Sequence, residues 1–146
     1  MGEESRNIEV VRRLERAYND RDYETVRECV AADLVAHTPG AEGLPPGVEG
    51  AIASNEGSFQ GFSDRTTEIL EIFGEGDRVV SHVRMTGTND GDLPFGGMSA
   101  TGKAIDMDWI QISRHGPDGK IRETWAQMDL PKMMVQLGAM PAPEGM

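Results

Sequence analysis

Cysteine is nearly missing from this chain: Cys29 stands alone, which excludes a disulfide framework and a thiolate metal centre. Basic residues are scarce, 14 against 25 acidic ones for a net charge of -11, with lysine only at positions 103, 120 and 132. Such a surface repels phosphate backbones and anionic lipid heads, so neither nucleic acid nor a membrane is an expected partner. No apolar run is long enough to span a bilayer, and the start Met1-Gly2-Glu3-Glu4-Ser5-Arg6-Asn7 lacks the basic stretch and apolar run of a secretory leader; the expected address is the cytoplasm. Aromatic residues make up 5% of the chain, and no two of His37, His82 and His115 have the spacing of metal ligands. No metal and no cofactor is expected.

What remains is 146 residues, 38% of them apolar, enough for one domain over 1–146 with a core and a small-molecule pocket. Ile8, Val11, Leu14 and Tyr18 recur at helical spacing and predict an amphipathic helix over 7–20, with Ser5 or Asn7 as its cap. Asp22 can cap a second short helix, after which a strand-like stretch ends at His37 before Thr38-Pro39-Gly40. Pro45-Pro46-Gly47 launches a third helix through Ile52, Phe59 and Phe62. Beyond Asp64 the period falls to two: residues 65–73, 77–88, 103–115 and 120–128 read as an antiparallel meander of about four strands. Pro131 opens a last short helix closed by Gly138. Helices first and strands afterwards, without a repeat, give an α+β domain.

If Gly116-Pro117-Asp118-Gly119 is the hairpin turn, Ile112 opposes Glu123, Ile110 opposes Trp125, Asp108 opposes Gln127 and Asp106 opposes Asp129, all on one face. On the preceding strand His82 and Arg84 alternate onto one face, and a register of the right parity brings Arg84 to Asp106. The expectation is a cluster of Asp106, Asp108, Asp129, Arg84 and His82 beside Trp125 and Gln127. The opposite faces, Val79, Val83 and Met85 with Ile105, Met107 and Trp109, are apolar enough to suggest a subunit interface.

Pro46-Gly47-Val48-Glu49-Gly50, Phe62-Ser63-Asp64, Gly76-Asp77-Arg78-Val79-Val80, Gly87-Thr88, Ala100-Thr101-Gly102-Lys103, Asp118-Gly119-Lys120-Ile121, Trp125, Asp129 and Gln136-Leu137-Gly138 occur in one order. This ordered set resembles the SnoaL-like polyketide cyclase (ester cyclase) family over roughly residues 8–138, leaving 139–146 as a tail. The resemblance implies a cone-shaped fold of the nuclear transport factor 2-like type, its helices and curved antiparallel sheet enclosing one pocket, and a convex side that dimerises. It also implies cofactor-free aldol ring closure of a hydrophobic, carbonyl-bearing small molecule, with Asp129 as acid and base.

Around Asp129, the residues expected to assist catalysis are Asp106, Asp108, Arg84 and His82, by binding a developing oxyanion or setting charge. Those expected to line the ligand are Tyr18 and Asn55, polar groups on apolar helix stripes; Phe59; His37 at the pocket mouth; Trp125 and Gln127; and Phe95 in a Gly-rich loop that reads as a lid. Two other readings fit the same residues. An arginine between two aspartates also resembles the limonene epoxide hydrolases, and a pocket kept for affinity alone makes a binding domain without chemistry.

Overall fold

The computed structural model describes residues 2–39, 42–94 and 97–144. Its first helix, α1 (Glu3–Asp20), starts earlier than the predicted cap. Glu3 and Glu4 complement the positive end of the helix, while Asn7, expected as a cap, is fully buried under it. Val11, Leu14 and Ala17 form the buried stripe. Asp22 caps α2 (Tyr23–Cys29) as read from the sequence, its carboxylate accepting the Thr25 amide at 3.2 Å. The third helix, α3 (Val48–Gly61), depends on Gly47, whose φ of 72° is left-handed and whose Cβ, if it had one, would lie 2.1 Å from the Ala32 carbonyl oxygen.

Five strands follow the order β1-β5-β4-β3-β2: β1 (Val30–His37), β2 (Thr66–Glu75), β3 (Arg78–Thr88), β4 (Ala104–His115) and β5 (Ile121–Met128). The predicted meander is β2 to β5; β1 adds a fifth strand that runs parallel to β5 at the sheet edge, which the sequence reading left unpaired. The β4–β5 register also differs from expectation. Ile112 faces Trp125, Ile110 faces Gln127 and Arg114 faces Glu123, two residues from the predicted pairing. The cause is a wider turn, closed by the Gly116 amide on the Lys120 carbonyl at 2.9 Å, with a register shift between Arg114 and His115. A slip of two keeps the β5 side chains on their predicted face, but the strand ends at Met128 and Asp129 turns into the next helix, so Asp129 does not oppose Asp106 as expected and stands outside the Asp106, Asp108, Arg84 and His82 group.

Which face is covered is the larger correction. Val79, Val83, Met85, Ile105 and Met107, expected at a subunit interface, are buried beneath the helices and loops. Val79 and Ile121 pack with Val11, Leu14, Val26 and Ile52 in one cluster. Met85, Ile105 and Met107 pack with Phe62, Leu93, Met133 and Leu137 in a second. Between them the covered face carries Ser81, Gln111, Ser113 and Thr124, three of them nearly inaccessible. Apart from His115, which is buried and bonded through its ring to Ser113 and to the Gly119 carbonyl, the ionisable residues of β3 and β4 point the other way, where water screens them; burying them costs several kcal/mol per ion.

Two devices complete the covered side. The last helix, α4 (Leu130–Gln136), is capped by Asp129, which accepts the Lys132 amide at 3.0 Å. Gln136 substitutes for the strand that β5 no longer supplies: its amide oxygen accepts Asp106 N–H at 3.0 Å and its NH2 donates to the Asp106 carbonyl at 2.9 Å. The Gly-rich loop is pinned by Asn89, fully buried, whose side chain bonds Gly61, Gly91 and Thr101. Among the described residues no helix is long and apolar enough to cross a membrane. Truncation of a covered strand residue tests this packing: Met107→Ala is expected to cost about 2–5 kcal/mol in urea unfolding, and a loss under about 0.5 kcal/mol would mean that the residue is not part of a packed core.

Candidate functional site

The pair of Arg84 with Asp106 anticipated from strand parity does form. Arg84 makes a bidentate pair with Asp106, Nε to Oδ1 at 2.9 Å and Nη2 to Oδ2 at 2.7 Å, and reaches Glu68 at 3.3 Å. It therefore spans Asp106 and Glu68 instead of two aspartates. Asp108 pairs with His82. These four side chains lie on the outer face, turned from the helices, and are half-exposed. The Arg84 guanidinium holds the Asp106 carboxyl below its ordinary range, and His82 does the same for Asp108.

Further along that face Trp125 is held from two sides. The His37 ring stacks on it at 5.4 Å between centroids, and the Arg78 guanidinium lies 5.0 Å from its centroid. His37 Nε2 stands 2.7 Å from Glu123, which also takes a bond from Arg114 at 3.2 Å. These bonds, His37 first, lower the Glu123 carboxyl. Beside His37 a wide cleft of about 560 Å3 opens between Ala36, Thr38, Pro39, Glu42 and Ala126, with exposed Gln127 on its rim. His37 and Gln127 thus meet at one opening, while the Trp125 ring stacks against His37. Phe95 lies outside the described residues. Asp129 is exposed at the start of α4; one residue before it, Met128 packs against the second cluster.

A different polar group sits inside. Asn55, almost buried, donates from Nδ2 to the Tyr18 carbonyl at 3.0 Å and to the Tyr23 hydroxyl at 3.1 Å. Its Oδ1 accepts from Arg65 Nη1. The Arg65 guanidinium lies 5.1 Å from the Phe59 ring centroid, and Arg65 is only 8% exposed. Thr67 donates to Glu15 at 2.8 Å. Tyr18, Asn55 and Phe59, predicted separately from helix stripes, therefore belong to one neighbourhood, and Arg65 and Glu15 are the members that sequence reasoning missed. Glu15 is hidden among the alternating Arg and Glu residues of α1, and Arg65 follows Ser63-Asp64 like any turn charge. The available signal was the period-2 pattern from Thr66 onward, which makes Arg65 and Thr67 neighbours on one face. Burial pushes the Glu15 carboxyl up and the Tyr18 hydroxyl up, and pulls the Arg65 guanidinium down. Among the described residues no group of three or more His, Cys, Asp or Glu side chains is arranged to hold a metal ion.

Residues 8–137 match the model of the SnoaL-like polyketide cyclase family. Among solved structures, the chain is similar to a protein from Jannaschia sp. CCS1 described as a candidate SnoaL-like polyketide cyclase, with 28% identity, 97% of each chain covered and a TM-score of 0.83. It is also similar to IdmH from Streptomyces antibioticus, described as a candidate polyketide cyclase, with 33% identity over 90% of this chain and 98% of that one and a TM-score of 0.77. AclR from Streptomyces galilaeus, described as a candidate hydroxylase, shares the fold at 23% identity, 96% of this chain, 86% of that one and a TM-score of 0.79. No curated protein matches the sequence.

The two neighbourhoods differ in their titration. Carbon-13 NMR of the carboxyl groups is expected to find Glu15 above its usual 4.5 and Asp106 and Asp108 below their usual 3.8. Because the folded value of Glu15 is raised, its contribution to stability is full below about pH 4.5 and is lost as pH rises through the folded value. Glu15→Gln is therefore expected to gain stability over the natural protein at pH 7 but not at pH 4; equal effects at both would refute the burial of that carboxyl.

Proposed function

The chain belongs to the SnoaL-like polyketide cyclase family, and on that premise we propose that it binds a hydrophobic, carbonyl-bearing small molecule between its helices and sheet and closes it by a cofactor-free aldol step. One observation carries the reading: the helix-covered side combines a pliable apolar wall, Met85, Met107, Trp109 and Met128, with inward polar groups at Asn55 and Arg65. Methionines adapt to irregular flat molecules, and a few fixed polar groups orient a carbonyl.

Asp129 is the acid and base in this proposal. Its Oδ1 is oriented by the Lys132 amide, and it follows Met128 directly. The carboxylate takes a proton from the carbon alpha to one carbonyl; the carbanion forms a carbon–carbon bond to a second carbonyl; the resulting alkoxide takes the proton back. No electrons enter or leave, so the step needs no oxidant or reductant. Holding the two carbons together supplies most of the acceleration. A binding domain without chemistry is the second reading, favoured by the exposure of Asp129 and its role as a helix cap.

The outer face supports a second copy of the chain as partner. Phe73 and Ile110, 55% and 52% exposed, extend an apolar strip with Val80 and Ile112. The His82–Asp108 and Arg84–Asp106 pairs border it with both signs of charge, which suits an isologous contact about a two-fold axis. In this arrangement those four residues serve assembly.

Two measurements separate these claims. The first is deuterium uptake at C1 of 2-tetralone, a bicyclic ketone: the natural protein is expected to accelerate it and Asp129→Asn, which keeps a good cap, to lose about a hundredfold or more. Uptake unchanged by the substitution would favour the binding domain. The second is sedimentation of Ile110→Lys, expected to run as a folded monomer beside a dimeric natural protein; identical sedimentation of the two would remove the outer face from assembly.

A further inference from the structure

Arg65 has an unusual set of partners for a buried cation. It cannot shed its charge. It is 8% exposed, yet among the described residues the one hydrogen bond of its guanidinium goes from Nη1 to a neutral acceptor, Asn55 Oδ1. Its Nε–H is buried with no hydrogen-bond partner among the described residues. The Phe59 ring lies 5.1 Å from its guanidinium carbon. The carboxylate pairs of Arg13, Arg27, Arg84 and Arg122 lie at the surface, and no carboxylate lies within ion-pair distance of Arg65 among the described residues. Glu15 acts on it only through space and engages Thr67 directly. An arginine kept for packing alone would leave a charge and a donor unanswered at a cost of several kcal/mol.

We propose that Arg65 is the residue that receives an acidic oxygen of the ligand, that of a carboxylate, of a phenolate or of the enolate of a β-dicarbonyl, with its Nε–H as donor. The ligand class follows from the neighbours: an anionic oxygen attached to a flat ring, since the methionine wall accepts apolar surface while the guanidinium fork accepts oxygen; the Phe59 ring is already engaged by the Arg65 and Arg21 guanidinium groups. Phe59 shields the guanidinium from water, which strengthens its attraction for an anion. Asn55, bonded to Tyr18, Tyr23 and Arg65 at once, holds the guanidinium at a fixed orientation and so acts as a positioning residue. The inference rests on the reading of the covered side as the ligand chamber and narrows what that chamber takes.

The probes are 2-naphthoate and its neutral counterpart 2-naphthamide, which share shape and differ in charge. Nitrogen-15 spectra of the arginine Nε–H groups, with the Arg65 signal identified through contacts to the Phe59 ring, report binding at that atom. The expected result is a saturable shift with naphthoate and an affinity for naphthamide lower by roughly ten- to a hundredfold, the range for a charge-assisted hydrogen bond. Arg65→Gln is expected to abolish this preference and Arg65→Lys to keep part of it. Equal affinities, with the Arg65 signal moving for both, would overturn the anion-binding role and leave the chamber standing. No shift of the Arg65 signal with either probe would overturn both. The comparison of the two probes on the natural protein decides the matter even if the Arg65 variants fail to fold.

Discussion

The ladder between β3 and β4 is the constraint on which the remaining structure depends. Its eleven paired positions, from Arg78–Arg114 to Thr88–Ala104, alternate so that one face collects Val79, Val83, Met85, Ile105 and Met107 and the other His82, Arg84, Asp106 and Asp108. Only the first can be packed under the helices without the cost of desolvating ion pairs. The helices therefore have one side of the sheet to cover, and α1, α3 and α4 all bring their apolar residues to it. The direction of the chain, the depth of the interior and the exposure of the charged face follow from that choice.

Two chemically distinct surfaces result. Outside, charges answer one another within the sheet: Arg84 with Asp106, His82 with Asp108, and His37 and Arg114 with Glu123. Such pairs are screened by water and contribute little to stability. Inside, polar groups are few, and most of their atoms are tied to a specific partner; Asn7 Nδ2 and Arg65 Nε are not, among the described residues. Thr67 joins Glu15 and Asn19, Asn55 joins three partners, and Arg65 keeps one donor unused. Where an interior polar group lacks a protein partner, a ligand is the natural candidate to supply it.

Much of this architecture can be read from the residues. Helical periodicity and turn residues locate α1 to α4, Asp22 announces its capping role, and Pro45-Pro46-Gly47 marks the start of the third helix. Strand parity also brings Arg84, His82, Asp106 and Asp108 together. The reading fails where the outcome depends on three-dimensional competition. A bulge at Arg114 and His115 moves the β4–β5 register by two, and bulges leave little mark in a sequence. Which side of an amphipathic sheet meets the helices is not encoded by alternation alone, since a charged face reads equally well as a pocket lining or as a solvated surface. Arg65 and Glu15 look like ordinary surface charges in their local sequence. The burial of Arg65 and the partial burial of Glu15 arise because α1 and α3 close over the start of β2, a tertiary fact invisible in a ten-residue window.

The central claim is that the ligand chamber lies on the helix-covered side of the sheet. It is tested most directly by intermolecular nuclear Overhauser effects from the ring protons of bound 2-tetralone. Because β3 and β4 alternate, neighbouring residues report opposite faces: Met107 and Trp109 point to the covered side, Ile110 and Val80 to the outer one. The account predicts contacts to the methyl group of Met107 and the indole of Trp109 and none to Ile110 or Val80. Contacts to Ile110 and Val80 with none to Met107 would contradict it and move the functional site to the outer face.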